Sequence, residues 1–170
     1  MRKLILGLAV SLDGFIEGPN GEYDWCFTDQ DYGMSEFYKR IDAVFMGRKS
    51  YELTQTMEGG AGIPKMKTYV FSNTLKSVPN DMVLVSGDIV KQVHDIKQSP
   101  GKDIWMFGGA SLTASMMNAG LIDEVSLAVH PILLGKGKPL FSGISERIHL
   151  KLTDQKTYAT GLVILNYDMR

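Results

Sequence analysis

The sequence predicts a mixed α/β sheet, mostly parallel, with antiparallel strands added at its C-terminal edge. Three observations carry this. Apolar strand-like runs alternate with helix-like segments through most of the chain. From Val125 onward three further apolar runs follow with no helical pattern between them. Two of the earlier runs stop at glycine and pass straight into helix starts, at Met46-Gly47-Arg48-Lys49-Ser50 and Phe107-Gly108-Gly109-Ala110-Ser111-Leu112. The alternation implies right-handed crossovers with helices on both faces. In such sheets ligands bind beyond the carboxyl ends of the strands, where both glycine junctions lie.

Residues 3–10 read as a buried first strand. Basic residues precede this apolar run as in a signal peptide, but no small-residue cleavage site follows and Asp13 comes at once. Residues 11–30 are irregular and too long for a plain connection, a length at which loops often serve as lids. Met34, Phe37, Tyr38 and Ile41 share one face of a predicted helix over 31–41. A strand over 43–46 and a helix over 48–54 follow, then a flexible loop at Gly59-Gly60-Ala61-Gly62. Strands are expected over 68–72 and 82–86. Ile89, Val90, Val93 and Ile96 form one face of a helix beginning near Asp88. A strand over 103–107 leads into a helix over 111–118 closed by Gly120. The last three strands are expected over 125–134, 148–156 and 162–168.

At 170 residues a single domain over 1–170 is expected. The 44% hydrophobic and 22% charged content is ordinary for a globular chain. A net charge of −1 offers no footprint for nucleic acid. The lone Cys26 excludes an internal disulfide and suits a reducing compartment. No apolar run approaches the ~18 residues of a membrane span, so no membrane association and a cytoplasmic location are expected.

The glycine junctions carry the chemistry. A backbone without Cβ lets a bound group approach closely, and the amides that open a helix have no internal partners. Two such junctions in one small domain indicate a nucleotide-type ligand lying across neighbouring strand ends. Arg48 and Lys49 gain nothing from the helix dipole at an N-terminus unless an anion sits between them, and an arginine fork matches a phosphate. Singly, these residues fit two solvated charges after a structural glycine, and Gly108-Gly109 fits a tight turn. The G-x-G-x-x-G dinucleotide fingerprint is absent. Ser72-Asn73-Thr74, at a third strand end, suit either a ribose or phosphate contact or an ordinary turn.

In the long loop, Trp25 is the candidate to cover a planar ring. The carboxylates near it are Asp13, Asp24, Asp29, Asp31 and Glu36, any of which also suits a turn or a cap. His94, His130 and His149 have no partner at metal spacing, so no metal site is expected. Cys26 has no neighbouring base and is not expected to be a nucleophile. The ten methionines read as core filling.

Taken in order, Ser11-Leu12-Asp13-Gly14-Phe15-Ile16, Met46-Gly47-Arg48-Lys49-Ser50-Tyr51-Glu52, Val70-Phe71-Ser72-Asn73-Thr74, Phe107-Gly108-Gly109-Ala110-Ser111-Leu112 and Pro131-Ile132-Leu133-Leu134-Gly135-Lys136-Gly137-Lys138-Pro139-Leu140-Phe141 form a recognisable series. Over nearly its whole length the chain resembles the dihydrofolate reductase-like superfamily. Its Leu-Asp-Gly and Leu-Gly-x-Gly-x-Pro-Leu-Phe segments are most similar to the riboflavin-biosynthesis reductase branch and its small stand-alone members. The resemblance implies a three-layer sandwich, NADPH as cofactor, and a homodimer; residues 125–129, read as an apolar edge strand that needs cover, are its candidate surface.

By the same resemblance Gly47, Arg48, Lys49 and Ser50 hold part of the phosphates. Ser72 and Asn73 lie near the adenosine ribose, Gly108, Gly109, Ala110, Ser111 and Leu112 meet the pyrophosphate, and Ala9 and Ile16 line the nicotinamide. The substrate side departs from dihydrofolate reductase. The position of its acidic helix residue falls at or near Met34, with Asp31 and Glu36 flanking it. The expected activity is hydride transfer from NADPH to a small pterin- or pyrimidine-like heterocycle. Asp13, then Asp31, are the candidate polar substrate contacts, with Trp25 closing the site. A riboflavin-pathway 5-amino-6-ribosylamino-pyrimidine reductase proper and a nucleotide-binding protein without turnover are the alternatives.

Overall fold

The computed structural model describes residues 1–57 and 62–169. Of the expected glycine loop, Gly59, Gly60 and Ala61 lie outside the described residues. The chain runs β1 (Leu4–Ser11), β2 (Phe15–Glu17), α1 (Met34–Arg40), β3 (Ile41–Gly47), α2 (Arg48–Thr56), β4 (Lys67–Phe71) and β5 (Met82–Val85). It continues through α3 (Ile89–Gln98), β6 (Asp103–Gly108), α4 (Ala110–Asn118), β7 (Glu124–His130), β8 (Lys138–Pro139), β9 (Leu150–Thr157) and β10 (Val163–Met169).

One sheet takes the order β5-β4-β3-β6-β1-β7-β10-β9. Neighbours from β5 through to β7 pair in parallel. β10 runs antiparallel to both β7 and β9, which is the expected C-terminal edge. β6 and β1 sit centrally, and Leu4, Leu6, Ile104 and Met106 are fully buried there. Fully burying such side chains is worth ~1.5–3 kcal/mol each.

Helices cover the two faces unequally. On one face α3 and α4, through Val93, Met116 and Met117, pack on Leu4, Phe45, Met106 and Val125, with Leu127 and Tyr167 against them. On the other, α1 and α2 present Phe37, Tyr38 and Tyr51 to Ile5, Val44, Val70 and Trp105. No residue of β7, β9 or β10 belongs to that second cluster, so this face is left open over the C-terminal strands.

Several local expectations need correction. Helix α1 starts at Met34, not Asp31, because Tyr32 (φ 49°) and Gly33 (φ 84°) turn the backbone left-handed just before it. Ile41 already belongs to β3. The irregular 11–30 segment contains β2, which pairs with β8 in a ribbon that no local pattern announces. β7 ends at His130, so Pro131 to Leu134 leave the sheet. Residues 125–129 do not form an edge: β7 lies between β1 and β10, and the edges are β5 and β9.

Candidate functional site

A cleft of about 1340 Å³ opens at the carboxyl ends of β4, β3, β6 and β1 and continues over the open face of β7, β10 and β9. Single-ligand pockets usually span ~300–1,000 Å³, so there is room for two molecules.

The first compartment is built by two helix starts from adjacent parallel strands, β3 and β6. Gly47 precedes α2 and Gly109 precedes α4, and neither helix has a side-chain cap or an acidic residue in its first turn. Their orphan amides and dipoles are therefore available to an anion. Gly108 (φ 126°) and Gly109 (φ 96°) hold a backbone conformation closed to other residues. A Cβ at Gly109 would come 3.3 Å from the Ser50 hydroxyl oxygen, and one at Gly47 would stand 3.7 Å from Leu112 Cβ, so the two starts face each other closely. Arg48, Lys49, Ser50, Ala110, Ser111 and Leu112 line the space between. Arg48 donates to Glu52 at 3.0 Å from a half-exposed position, a pair weak enough to yield to a phosphate.

Ser72 and Asn73 line the cleft beside β4, but both are committed to the turn. The Ser72 hydroxyl accepts from the Thr74 and Leu75 amides (3.1 and 3.0 Å), and Asn73 Oδ1 accepts from Gly87 N at 3.0 Å. Gly108, buried at the end of β6, does not line the cleft.

The second compartment has aromatic walls, with Tyr23, Phe27, Tyr32, Phe37, Trp105 and Tyr158 around it. Trp105 is fixed edge-on to Phe37 and donates from Nε1 to Gly7 O at 2.7 Å. Any side chain at Gly7 would meet that indole, at 3.1 Å. Ala9 and Ile16 also line the cleft.

A model of the RibD C-terminal domain matches residues 2–164. The chain belongs to the RibD C-terminal domain family. It is 43% identical to the uncharacterized protein YyaP of Bacillus subtilis, over 98% of this chain and 94% of that one. A Shewanella sp. PV-4 structure provisionally ascribed to riboflavin biosynthesis superposes with TM-score 0.87 at 26% identity, over 100% and 99% of the two chains. The Thermotoga maritima diaminohydroxyphosphoribosylaminopyrimidine deaminase/5-amino-6-(5-phosphoribosylamino)uracil reductase gives TM-score 0.73 at 16% identity, over 99% of this chain and 57% of that one. Enterococcus faecalis dihydrofolate reductase, complexed with NADP(H) and RAB-propyl, gives 0.72 at 13% identity, over 99% and 96%. The architecture is dihydrofolate reductase-like, and the likeness is to reductases of the riboflavin and dihydrofolate type.

In this RibD-type domain the residues expected on the substrate side are distributed differently from the expectation. Asp13 does not line the cleft. Its carboxylate accepts from the Ser11 hydroxyl (2.7 Å) and from the Leu134 and Gly135 amides (3.1 and 2.7 Å), pinning the segment after β7. These bonds hold its pKa below the usual carboxylate value, the Ser11 hydroxyl most of all. Asp31 lines the cleft mouth, where it accepts from the Ser35 hydroxyl and amide (2.7 and 3.0 Å) and from Gly33 N (3.1 Å). The Ser35 hydroxyl is the main cause of its lowered pKa, so Asp31 is an ionised acceptor and not a proton donor. Trp25 does not line the cleft either. It packs edge-on against His130 at 5.3 Å, with its indole N–H buried and unpartnered, and Phe27 occupies the wall in its place.

His130 is the residue that sequence reasoning missed. It is 3% exposed at the end of β7. Nδ1 lies 2.9 Å from Ala128 O, which assigns the proton there and leaves Nε2 to accept from Phe27 N at 3.1 Å. Burial pushes its pKa below 6.5, keeping the ring neutral and the loop attached. Cys26 also lines the cleft, and burial raises its thiol to about 11, which removes it as a nucleophile.

The floor of the second compartment was also missed. Register sets Gly7, Ser126, Asn166 and Asp154 in one cross-strand row and Ala9, Ala128, Ile164 and Lys156 in the next. The apolar-polar alternation of Val125-Ser126-Leu127-Ala128 carried this signal, because it divides β7 between the core and the cleft.

Proposed function

We propose that this chain is an NADPH-dependent reductase acting on a small pterin- or pyrimidine-like heterocycle, with one domain carrying the whole site. The observation that carries the reading is the pair of facing, uncapped helix starts with Arg48 and Lys49 between them, opening into an aromatic compartment. Family membership and the fold shared with an NADP(H)-bound dihydrofolate reductase support the choice of cofactor.

Gly47, Arg48, Lys49, Ser50 and the α4 start from Gly109 to Leu112 would hold the phosphates. The Ser72–Asn73 turn would bound the ribose, and Ala9 and Ile16 would flank the nicotinamide. NADPH, when bound, supplies the hydride. The residues supply orientation and dryness. Trp105 and Phe37 fix one wall, and the His130–Phe27 bond holds the loop that excludes water. Asp31 is held ionised by its hydrogen bonds to Ser35 and Gly33, so in this reading it is not the proton donor and water delivers the proton that accompanies the hydride. Asp13 acts at a distance, by holding the segment after β7. A homodimer and a cytoplasmic location complete the reading.

Incubation with NADPH deuterated at the transferable position, and with candidate pyrimidines and dihydropterins, tests it. The expected product carries one deuterium by mass spectrometry. NADPH binding without transfer to any of them favours a nucleotide-binding protein without turnover.

A further inference from the structure

The second compartment differs from the first in charge. In the first, Arg48, Lys49 and two helix N-termini converge. In the second, three cations reach the lining, and two of them are committed. Arg40 is held by Asp103 at 2.9 Å and Glu124 at 2.6 Å, and Lys138 is held by Glu17 at 3.2 Å. Lys156 remains, its ammonium 5.0 Å above the Tyr158 ring. Asp31 and Asp154 line the same space, so it has no positive surplus. A phosphate ester, carrying ~1.5–2 negative charges, finds one cation without a carboxylate partner there, Lys156, and two carboxylates, Asp31 and Asp154.

The floor offers hydrogen bonds instead of charge. Ser126, Asn166 and Asp154 stand on three successive strands in one row. Among the described residues none of these three side chains bonds to another protein group. A hydroxyl, an amide and a carboxylate together donate and accept, which suits a ring edge alternating N–H and C=O. The aromatic walls suit its faces.

We infer that the second compartment takes a planar nitrogen heterocycle with an amide edge in unphosphorylated form, read by Ser126, Asn166 and Asp154, and discriminates against the phosphate ester. This rests on the reductase reading and names the substrate class for it.

Calorimetric titration of the NADP⁺-saturated protein keeps turnover out of the measurement. The probes are 5-amino-6-(5-phosphoribosylamino)uracil and the nucleoside left when its phosphate is removed. The nucleoside is expected to bind at least tenfold tighter. Asp154 is exposed on the edge strand β9, so Asp154→Lys leaves the core intact. That variant is expected to gain at least tenfold for the phosphate ester and to lose affinity for the nucleoside. Equal or tighter binding of the ester by the unaltered protein overturns the inference. Binding of NADP⁺ with neither probe overturns it too, and leaves the cofactor reading intact. Failure of NADP⁺ itself to bind overturns the reading beneath it.

Discussion

His130 is a single residue on which a whole wall depends. Its neutral ring accepts from Phe27 N only while Nε2 is unprotonated. Burial makes the protonated form costly in the folded state, so the unfolded chain binds the proton first as pH falls below 6.5. Stability on this account is full above that pH and is lost as pH drops toward the depressed native value. The melting temperature should fall in this window, and His130→Gln, which keeps an acceptor, should flatten the fall; an unchanged profile in the variant would contradict the assignment. Cys26 makes a second prediction at this scale. With its thiol raised to about 11 from 9.0, the thiolate fraction at pH 8 is about a hundredfold below that of a free thiol. Alkylation by iodoacetamide should be correspondingly slow in the native protein and ordinary after denaturation. Neither property could be read from the sequence. The His130 bond spans 103 residues, and burial of Cys26 depends on how the loop lies. The place of Arg48, by contrast, was legible: a glycine junction followed by a cation predicted a helix start, and Arg48 opens α2 at the cleft.

At the scale of the elements, most strands and helices were legible because their signals are local. Asp88 caps α3 through Lys91 N at 3.1 Å, and Gly120 ends α4 at φ 63°. What escaped was set by backbone twist or by distant pairing. Helix α1 yields its first turn to Tyr32 and Gly33, and the β2–β8 ribbon joins segments more than 100 residues apart. The glycine junctions were visible as composition; only the fold brings α2 and α4 start to start. Gly109→Ala tests that cradle. An alanine held at φ 96° with its Cβ 3.3 Å from the Ser50 hydroxyl should cost about 1–3 kcal/mol in denaturant unfolding and should weaken NADPH binding. Loss of stability with full NADPH affinity would mean that the glycine serves packing alone.

Across the whole molecule, α3 and α4 pack on one face of the sheet as far as β7 and β10, while α1 and α2 cover the other only as far as β1. That asymmetry leaves a floor where a second ligand can lie beside the first. The sequence predicted the antiparallel C-terminal strands, but not that their polar face would line the cleft, because only the register of β7, β10 and β9 aligns Ser126, Asn166 and Asp154. Tyr23, Cys26, Phe27 and residues 30–33 line this space, with the segment tied to β7 at Phe27. Their amides should exchange slowly with solvent deuterium when cofactor is bound and faster in His130→Ala; identical exchange in all states would remove the loop from the mechanism. The central claim, however, is the anion cradle between two helix starts. Calorimetric titration of NADPH and NADH into the wild type and Arg48→Ala tests it most directly. The account predicts tight NADPH binding that weakens by about 1–3 kcal/mol in the variant, as for loss of a charge-assisted phosphate contact, with a smaller change for NADH. Binding of neither nucleotide, or NADPH affinity indifferent to Arg48, would contradict it.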